Sequence, residues 1–219
     1  RLFRLLLLLR KSYHTVGSAH YQANFIAKLL RIPNFSILDD PRAGVVEIVR
    51  FSTKEFYLPN FEQQILGSKV FEGLKEWAYL SPSYFHPTLS ALEAFNLTPF
   101  QYIFLREVTT NTSNYLGQKE SQILEISHKI PEGTPVVLSL EDKSSRHLYP
   151  SHWHIVEEPF DDFHSLLYYS SLTASTGDSI AREGSMLGAP SFYIGDRDMP
   201  ANQVLIDLKL LEKIKPHNL

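Results

Sequence analysis

Ser171-Leu172-Thr173-Ala174-Ser175-Thr176-Gly177-Asp178-Ser179-Ile180-Ala181-Arg182-Glu183-Gly184-Ser185-Met186-Leu187-Gly188-Ala189-Pro190 is the stretch on which the fold turns. Its apolar start predicts a strand over 171–175, and the run beyond Gly177 predicts a helix over 179–187. Gly188 fits the cap at the helix C-terminus and Pro190 the stop that follows it. Between strand and helix the residues are small, so a ligand can approach the backbone closely. Unpaired N–H groups and the positive end of the helix dipole suit a diphosphate there. An ordinary N-cap explains Asp178 or Ser179 equally well. With Ser179 as the cap, the capping-box position falls on Arg182, which leaves Glu183 outside the cap. A carboxylate one turn inside the helix has the reach to accept hydrogen bonds from ribose hydroxyls. A surface glutamate favoured by the dipole is the plainer alternative.

Outward from this stretch, short apolar strands alternate with helical periods. Before it, a helix is expected over 2–11, a strand over 13–16 ending at Gly17-Ser18, and a helix over about 19–31 with Phe25, Ile26, Leu29 and Leu30 on one face. Strands at 35–38 and 55–58 flank a helix at 43–51. Pro59 to Pro99 holds Gly67, Gly73, Pro82 and Pro87 with only a short helix near 88–96, and reads as a connection. Alternation then resumes: strand 101–107, helix 119–129, strands 135–140 and 153–157, helix 161–170, the quoted strand and helix, strand 190–194 and helix 201–214. Strands separated by helices imply parallel pairing with right-handed crossovers. The expected architecture is α/β, with two Rossmann-like, doubly wound parallel-sheet domains, the first incomplete. Residues 1–72 would form the partial domain, 73–99 the connection and 100–219 the second domain with five strands. Ligands of such sheets bind beyond the carboxyl ends of the strands, where the strand order reverses.

Composition narrows the function. The chain has 219 residues, 43% of them hydrophobic, and a net charge of -3 from 21 basic and 24 acidic side chains. That balance argues against a nucleic-acid binder that works by phosphate neutralisation. Cysteine is absent, which excludes disulfides, thiolate metal sites and cysteine nucleophiles and fits a reducing, cytoplasmic setting. The run Leu5–Leu9 is too short to span a bilayer; a buried amphipathic helix is expected, with peripheral membrane contact as the alternative. The first residue is Arg1, which suggests a chain that begins inside a longer protein.

Asp161-Asp162-Phe163-His164 through Tyr168-Tyr169, Thr173-Ala174-Ser175-Thr176-Gly177, Arg182-Glu183 and Gly188-Ala189-Pro190 together resemble the nucleotide-sugar half of UDP-N-acetylglucosamine 2-epimerases and GT-B glycosyltransferases. A family of bacterial and archaeal GT-B-like proteins of uncharacterised activity is the closer resemblance. Gly73-Leu74-Lys75-Glu76, Tyr79-Leu80, Phe85-His86-Pro87, Leu105-Arg106 and Leu38-Asp39-Asp40 extend it over nearly the whole chain. The resemblance implies a nucleotide sugar, UDP-linked, bound between two domains and transferred or epimerised in polysaccharide or glycoconjugate synthesis. Glu183 would hold the ribose, and Ser175, Thr176, Gly177, Asp178 and Ser179 would cradle the diphosphate with Arg106 approaching from the opposite loop. Pro159 and Phe160 would flank the base; Lys75, Glu76, Asp196, Asn202 and Gln203 would meet the donor sugar. No metal and no resident cofactor are implied. His20, Asp39 and Asp40 are candidate proton-transfer groups. The oligomeric state is left open.

This sequence departs from the family's pattern in three loops. Asp178-Ser179 stands where the family has a second glycine, Asn111-Thr112-Ser113-Asn114-Tyr115 where it has a histidine-bearing run, and Pro41-Arg42 where an acidic-histidine step follows the paired aspartates. An acid beside a diphosphate is unfavourable unless it points away or caps the helix. A GT-B-like module without catalysis, serving a protein partner, is therefore the alternative function. His147, His152 and His154 read as surface histidines, since no carboxylate completes a metal set with them, and His164 reads as a packed side chain.

Overall fold

The computed structural model describes residues 15–18, 21–41, 43–53, 55–111, 115, 118–157 and 159–215. The helix expected over 2–11 and the candidate His20 lie outside them. The chain divides into two compact units, Arg1–Lys75 and Glu76–Leu219.

In the first unit, strands β1 (Val16–Ser18), β2 (Asn34–Ile37), β3 (Glu55–Pro59) and β4 (Ser68–Phe71) form one parallel sheet in the order β1-β2-β3-β4. Helices α1 (Tyr21–Leu29) and α2 (Ala43–Ser52) make the first two crossovers. Phe56 and Leu58 alternate along β3 toward α2, where they pack with Leu38, Val46 and Val49. β4 corrects the sequence reading, which placed this segment in a connection. Its side chains are largely outside the core, so it lacks the apolar alternation that announces a strand.

The second unit is a doubly wound sheet. Helices α3 (Trp77–Leu80) and α4 (Ser90–Glu93) precede β5 (Ile103–Glu107); then follow α5 (Gln122–Ser127), β6 (Val136–Leu140), a 3₁₀ helix (Lys143–Leu148) and β7 (His154–Ile155). Helix α6 (Phe163–Tyr168) leads to β8 (Leu172–Ser175), and α7 (Asp178–Met186), β9 (Ser191–Tyr193), α8 (Pro200–Asp207) and β10 (Leu211–Lys213) follow. All neighbours are parallel, in the order β10-β9-β8-β5-β6-β7. Consecutive residues of the central strands serve opposite faces: Leu105, Val136 and Leu138 pack with Ile123, Tyr149 and Trp153, while Phe104 and Val137 pack with Tyr102, Leu166 and Leu167. Covering both faces requires a continuous apolar run, and β6 is buried at all five positions.

Among the described residues the sheet has six strands rather than five. The helix expected over 201–214 ends at Asp207; Lys209 takes a positive φ of 58°, and the chain re-enters the sheet as β10. Chain order advances from β5 toward β7 on one side and from β8 toward β10 on the other. The reversal therefore lies between β5 and β8, where Arg106 pairs in register with Ser175.

Candidate functional site

At that reversal β8 ends in Ser175 and α7 begins at Asp178, with Gly177 in the cap position and no side-chain cap. Neither Asp178 nor Ser179 is the cap that the sequence offered: the cap position falls on Gly177, and Ser175 secures the turn before it. Its hydroxyl donates to the Gly177 carbonyl at 2.7 Å and accepts from the Gly177 N–H at 3.0 Å. Thr176 accepts from the Val108 N–H at 2.9 Å and ties this loop to the one after β5. Both hydroxyls are buried and engaged within the protein. At the far end of α7, Gly188 adopts φ 91°, with Ala189 N–H on the Gly184 carbonyl and Gly188 N–H on that of Ser185. These two bonds are the closing pair of a Schellman turn.

Four consecutive helical positions place Asp178 and Arg182 on one face of α7, and a buried ionic network grows from them. Arg182 is 1% exposed; its Nε donates to Glu76 Oε1 at 2.8 Å, and its Nη1 to Asp178 Oδ2 at 3.1 Å and Asn202 Oδ1 at 2.9 Å. The other Asp178 oxygen accepts from the Tyr115 hydroxyl at 2.8 Å and from Arg197 Nη1 at 3.3 Å. Burial opposes ionisation of Asp178, but the two guanidiniums and the Tyr115 hydroxyl outweigh it and hold the carboxyl below its usual range. Burial and the Asp178 charge push the Tyr115 hydroxyl up, so it stays a donor.

One and a half turns further on, Glu183 is 8% exposed. Its Oε1 accepts from the Tyr79 hydroxyl at 2.7 Å, and its Oε2 lies 3.3 Å from His164 Nε2. Tyr79 and His164 rings sit 5.5 Å apart, and Phe85 meets the imidazole edge-on at 6.1 Å. Burial and the neighbouring carboxylate raise the Tyr79 hydroxyl well above the phenol range. The carboxylate is therefore fixed in orientation by a permanent donor.

A second carboxyl stands at the end of β5. Glu107 Oε2 accepts from the Ile123 N–H at 2.7 Å, inside the first turn of α5, and from the Tyr149 hydroxyl at 3.3 Å. Burial pushes its pKa up to about 7, and the bonds from Ile123, Thr176 and Tyr149 only partly counter that. It lines a pocket of about 320 Å³ with Thr109, Ser121, Ser144 and His147.

The remaining expected site residues fall in several places. Arg106 Nη1 donates to Ser139 Oγ on the adjacent strand at 2.6 Å. Phe160 packs on Phe95 at 5.5 Å, while Pro159 is exposed. Asp196 accepts from the Lys119 N–H at 3.0 Å and from Gln122 Nε2 at 2.8 Å, securing the approach to α5. Gln203 faces solvent on α8 and bonds Asp207 one turn on. Ser179 is half-buried, 3.5 Å from Arg182 Nη2. Glu76 is 1% exposed and committed to Arg182. In the first unit, Lys75 pairs with Asp39, and Asp39 and Asp40 lie close enough to Glu62 to add to the rise that burial imposes on its carboxyl.

The structure thus joins Asp178, Glu76 and Asn202 through Arg182. It also brings in Tyr79, Tyr115, Arg197 and Glu107, which sequence reasoning missed. The Asp178–Arg182 spacing is the local signal for this in the sequence; Tyr79, though part of a motif that carries the resemblance, and Tyr115 reach the cluster from distant segments with no spacing that announces their roles. Among the described residues no three histidine or carboxylate side chains converge as metal ligands do, and no helix is long and apolar enough to cross a membrane.

No family model matches the sequence, and no curated protein matches it. Solved structures do. The chain has the fold of the UDP-N-acetylglucosamine 2-epimerases, a GT-B-like fold. UDP-GlcNAc 2-epimerase from Neisseria meningitidis, bound to UDP-GlcNAc, superimposes with a TM-score of 0.65 at 15% identity over 99% of this chain and 69% of that one. The Methanocaldococcus jannaschii enzyme in complex with UDP-GlcNAc and UDP gives 0.62 at 12% identity over 98% and 69%. MnaA of S. aureus, solved with UDP, gives 0.61 at 12% identity over 98%. This chain spans 65% of the length of that S. aureus structure.

Proposed function

We propose that the second unit binds a UDP-linked sugar at the reversal between β5 and β8, in an epimerase-like or glycosyl-transfer role in polysaccharide or glycoconjugate synthesis. The observation that carries this reading is Glu183. Its carboxylate is oriented by Tyr79 and His164 on the helix that opens at the switch point, where nucleotides bind in sheets of this order. Those two groups engage one lone pair on each oxygen and leave acceptor capacity for the vicinal hydroxyls of a ribose. Arg106, on the opposite strand, supplies a cation for the diphosphate, and the loop of Pro159 and Phe160 flanks the base. The fold shared with enzymes solved with UDP or UDP-GlcNAc supports the choice of nucleotide.

Calorimetry of the full chain with uridine and UDP tests the proposal. The expected result is binding, weakened tenfold or more by Glu183→Ala. A chain that binds no uridine compound at millimolar concentration overturns it. A second reading, a GT-B-like module without catalysis, is favoured by one observation: Asp178 already satisfies two guanidiniums at the mouth of α7. That reading expects no uridine binding and a protein partner instead.

A further inference from the structure

We infer that Asp178 is a specificity-determining residue: it is an anion built into the chain at the mouth of α7, so the site draws its affinity for a nucleotide sugar from the nucleoside part and gains little from the phosphates. This rests on the proposed nucleotide reading and deepens it. An acid in the first turn of a helix is ordinarily accounted for by the dipole, with its carboxylate in solvent. Asp178 is instead 4% exposed, and three side chains from three segments donate to it: Arg182 at 3.1 Å, Arg197 at 3.3 Å and Tyr115 at 2.8 Å. Those are the donors that a phosphate seated at this helix start would use.

The charges close. Glu76 and Asp178 balance Arg182 and Arg197, so the cluster offers an incoming diphosphate no net positive charge and sets a fixed carboxylate against it. Beside the same guanidinium, Asn202 accepts from Arg182 through Oδ1, while its Nδ2 is a buried donor with no acceptor. A buried amide donor left without an acceptor is a place for a ligand oxygen beside the same guanidinium. Affinity for a nucleotide sugar is then carried by its nucleoside, and the diphosphate adds little.

The test compares uridine, UMP and UDP on the wild type and on Asp178→Asn, which keeps an oxygen for Tyr115 and removes the charge. For the wild type, affinities within about threefold across the series are expected. For Asp178→Asn, UDP binding should tighten tenfold or more while uridine stays within threefold. A wild type that gains tenfold or more from uridine to UDP overturns the inference, and so does an Asn variant that binds UDP no better. Should Asp178→Asn fail to fold, the wild-type series decides alone. Inorganic pyrophosphate in a thermal-shift assay separates the inference from the function on which it rests. It should raise the melting temperature of Asp178→Asn and leave the wild type unmoved, and equal behaviour of the two overturns the role of Asp178. Absence of uridine binding in both chains sinks the nucleotide reading itself.

Discussion

Replacing Arg182 by methionine strikes the point where the most buried charge converges. The guanidinium donates to Glu76 at 2.8 Å, Asp178 at 3.1 Å and Asn202 at 2.9 Å, and at 3.5 Å to Ser179. Asp178 would keep Arg197 and Tyr115, so its loss is partial. Glu76, at 1% exposed, would keep no cation. Breaking a buried pair from one side costs about 3–5 kcal/mol, because the abandoned charge stays desolvated. Removing both members with apolar residues of similar volume is often close to neutral. Arg182→Met should therefore destabilise the second unit by about 3–5 kcal/mol, and Arg182→Met with Glu76→Leu by no more than about 2 kcal/mol. The second substitution should therefore recover on the order of 2 kcal/mol of what the first one loses, well above the error of such comparisons. Urea unfolding followed by tryptophan fluorescence measures it cleanly, because both tryptophans, Trp77 and Trp153, belong to this unit. If Arg182→Met lies within 1 kcal/mol of the wild type, or the double variant is as unstable as the single one, the network is not what secures α7.

Glu107 supplies a prediction in pH. Its folded pKa of about 7, against 4.5 for an ordinary glutamate, means the folded state holds the proton more tightly. Stability should therefore fall as pH rises from about 4.5 to 7 and remain lower above, by on the order of 3 kcal/mol. Glu107→Gln should flatten that profile and be the more stable chain at pH 8; denaturant midpoints at pH 5 and 8 check it, and a wild type that gains stability over this range refutes it. At Gly184 a Cβ would stand 2.8 Å from Ser191 Oγ and 3.1 Å from Thr173 Cβ, so Gly184→Ala should push α7 off β8 and β9. The melting temperature should drop by several degrees, corresponding to about 1–3 kcal/mol, despite alanine's better helix propensity. Tyr79→Phe removes the hydroxyl that orients Glu183; uridine affinity should fall about threefold to tenfold in calorimetry, with the circular dichroism spectrum unchanged.

The fold was legible where burial is two-sided. Strands such as β6, with five buried positions in succession, and helices between them announce a parallel sheet, and the glycine at 188 announces the end of α7. β4 and β10 were illegible for a shared reason. They are edge strands, short and only partly buried, so their side chains carry no alternation, and at β10 the helical period of α8 ran on past the real end. The start of α7 is not legible either, because Ser175, bonded to Gly177 on both its donor and acceptor sides, secures the turn without a cap at Asp178 or Ser179.

The site was half-legible, and the missing half changes its chemistry. Local spacing could reveal that Asp178 and Arg182 share a helix face, because four residues make a turn. Nothing local could reveal that Glu76 lies on the far side of the same guanidinium, or that Arg197 and Tyr115 close on the same carboxylate. Those are contacts between segments separated by up to about a hundred residues. Read alone, Asp178 is an acid in a poor place for a phosphate site. Read with its three donors it is a carboxylate whose charge is already met within the protein, as the proposal requires. On the proposed reading, whether this helix start holds a diphosphate or refuses one rests on a few buried charges that the strand order does not determine.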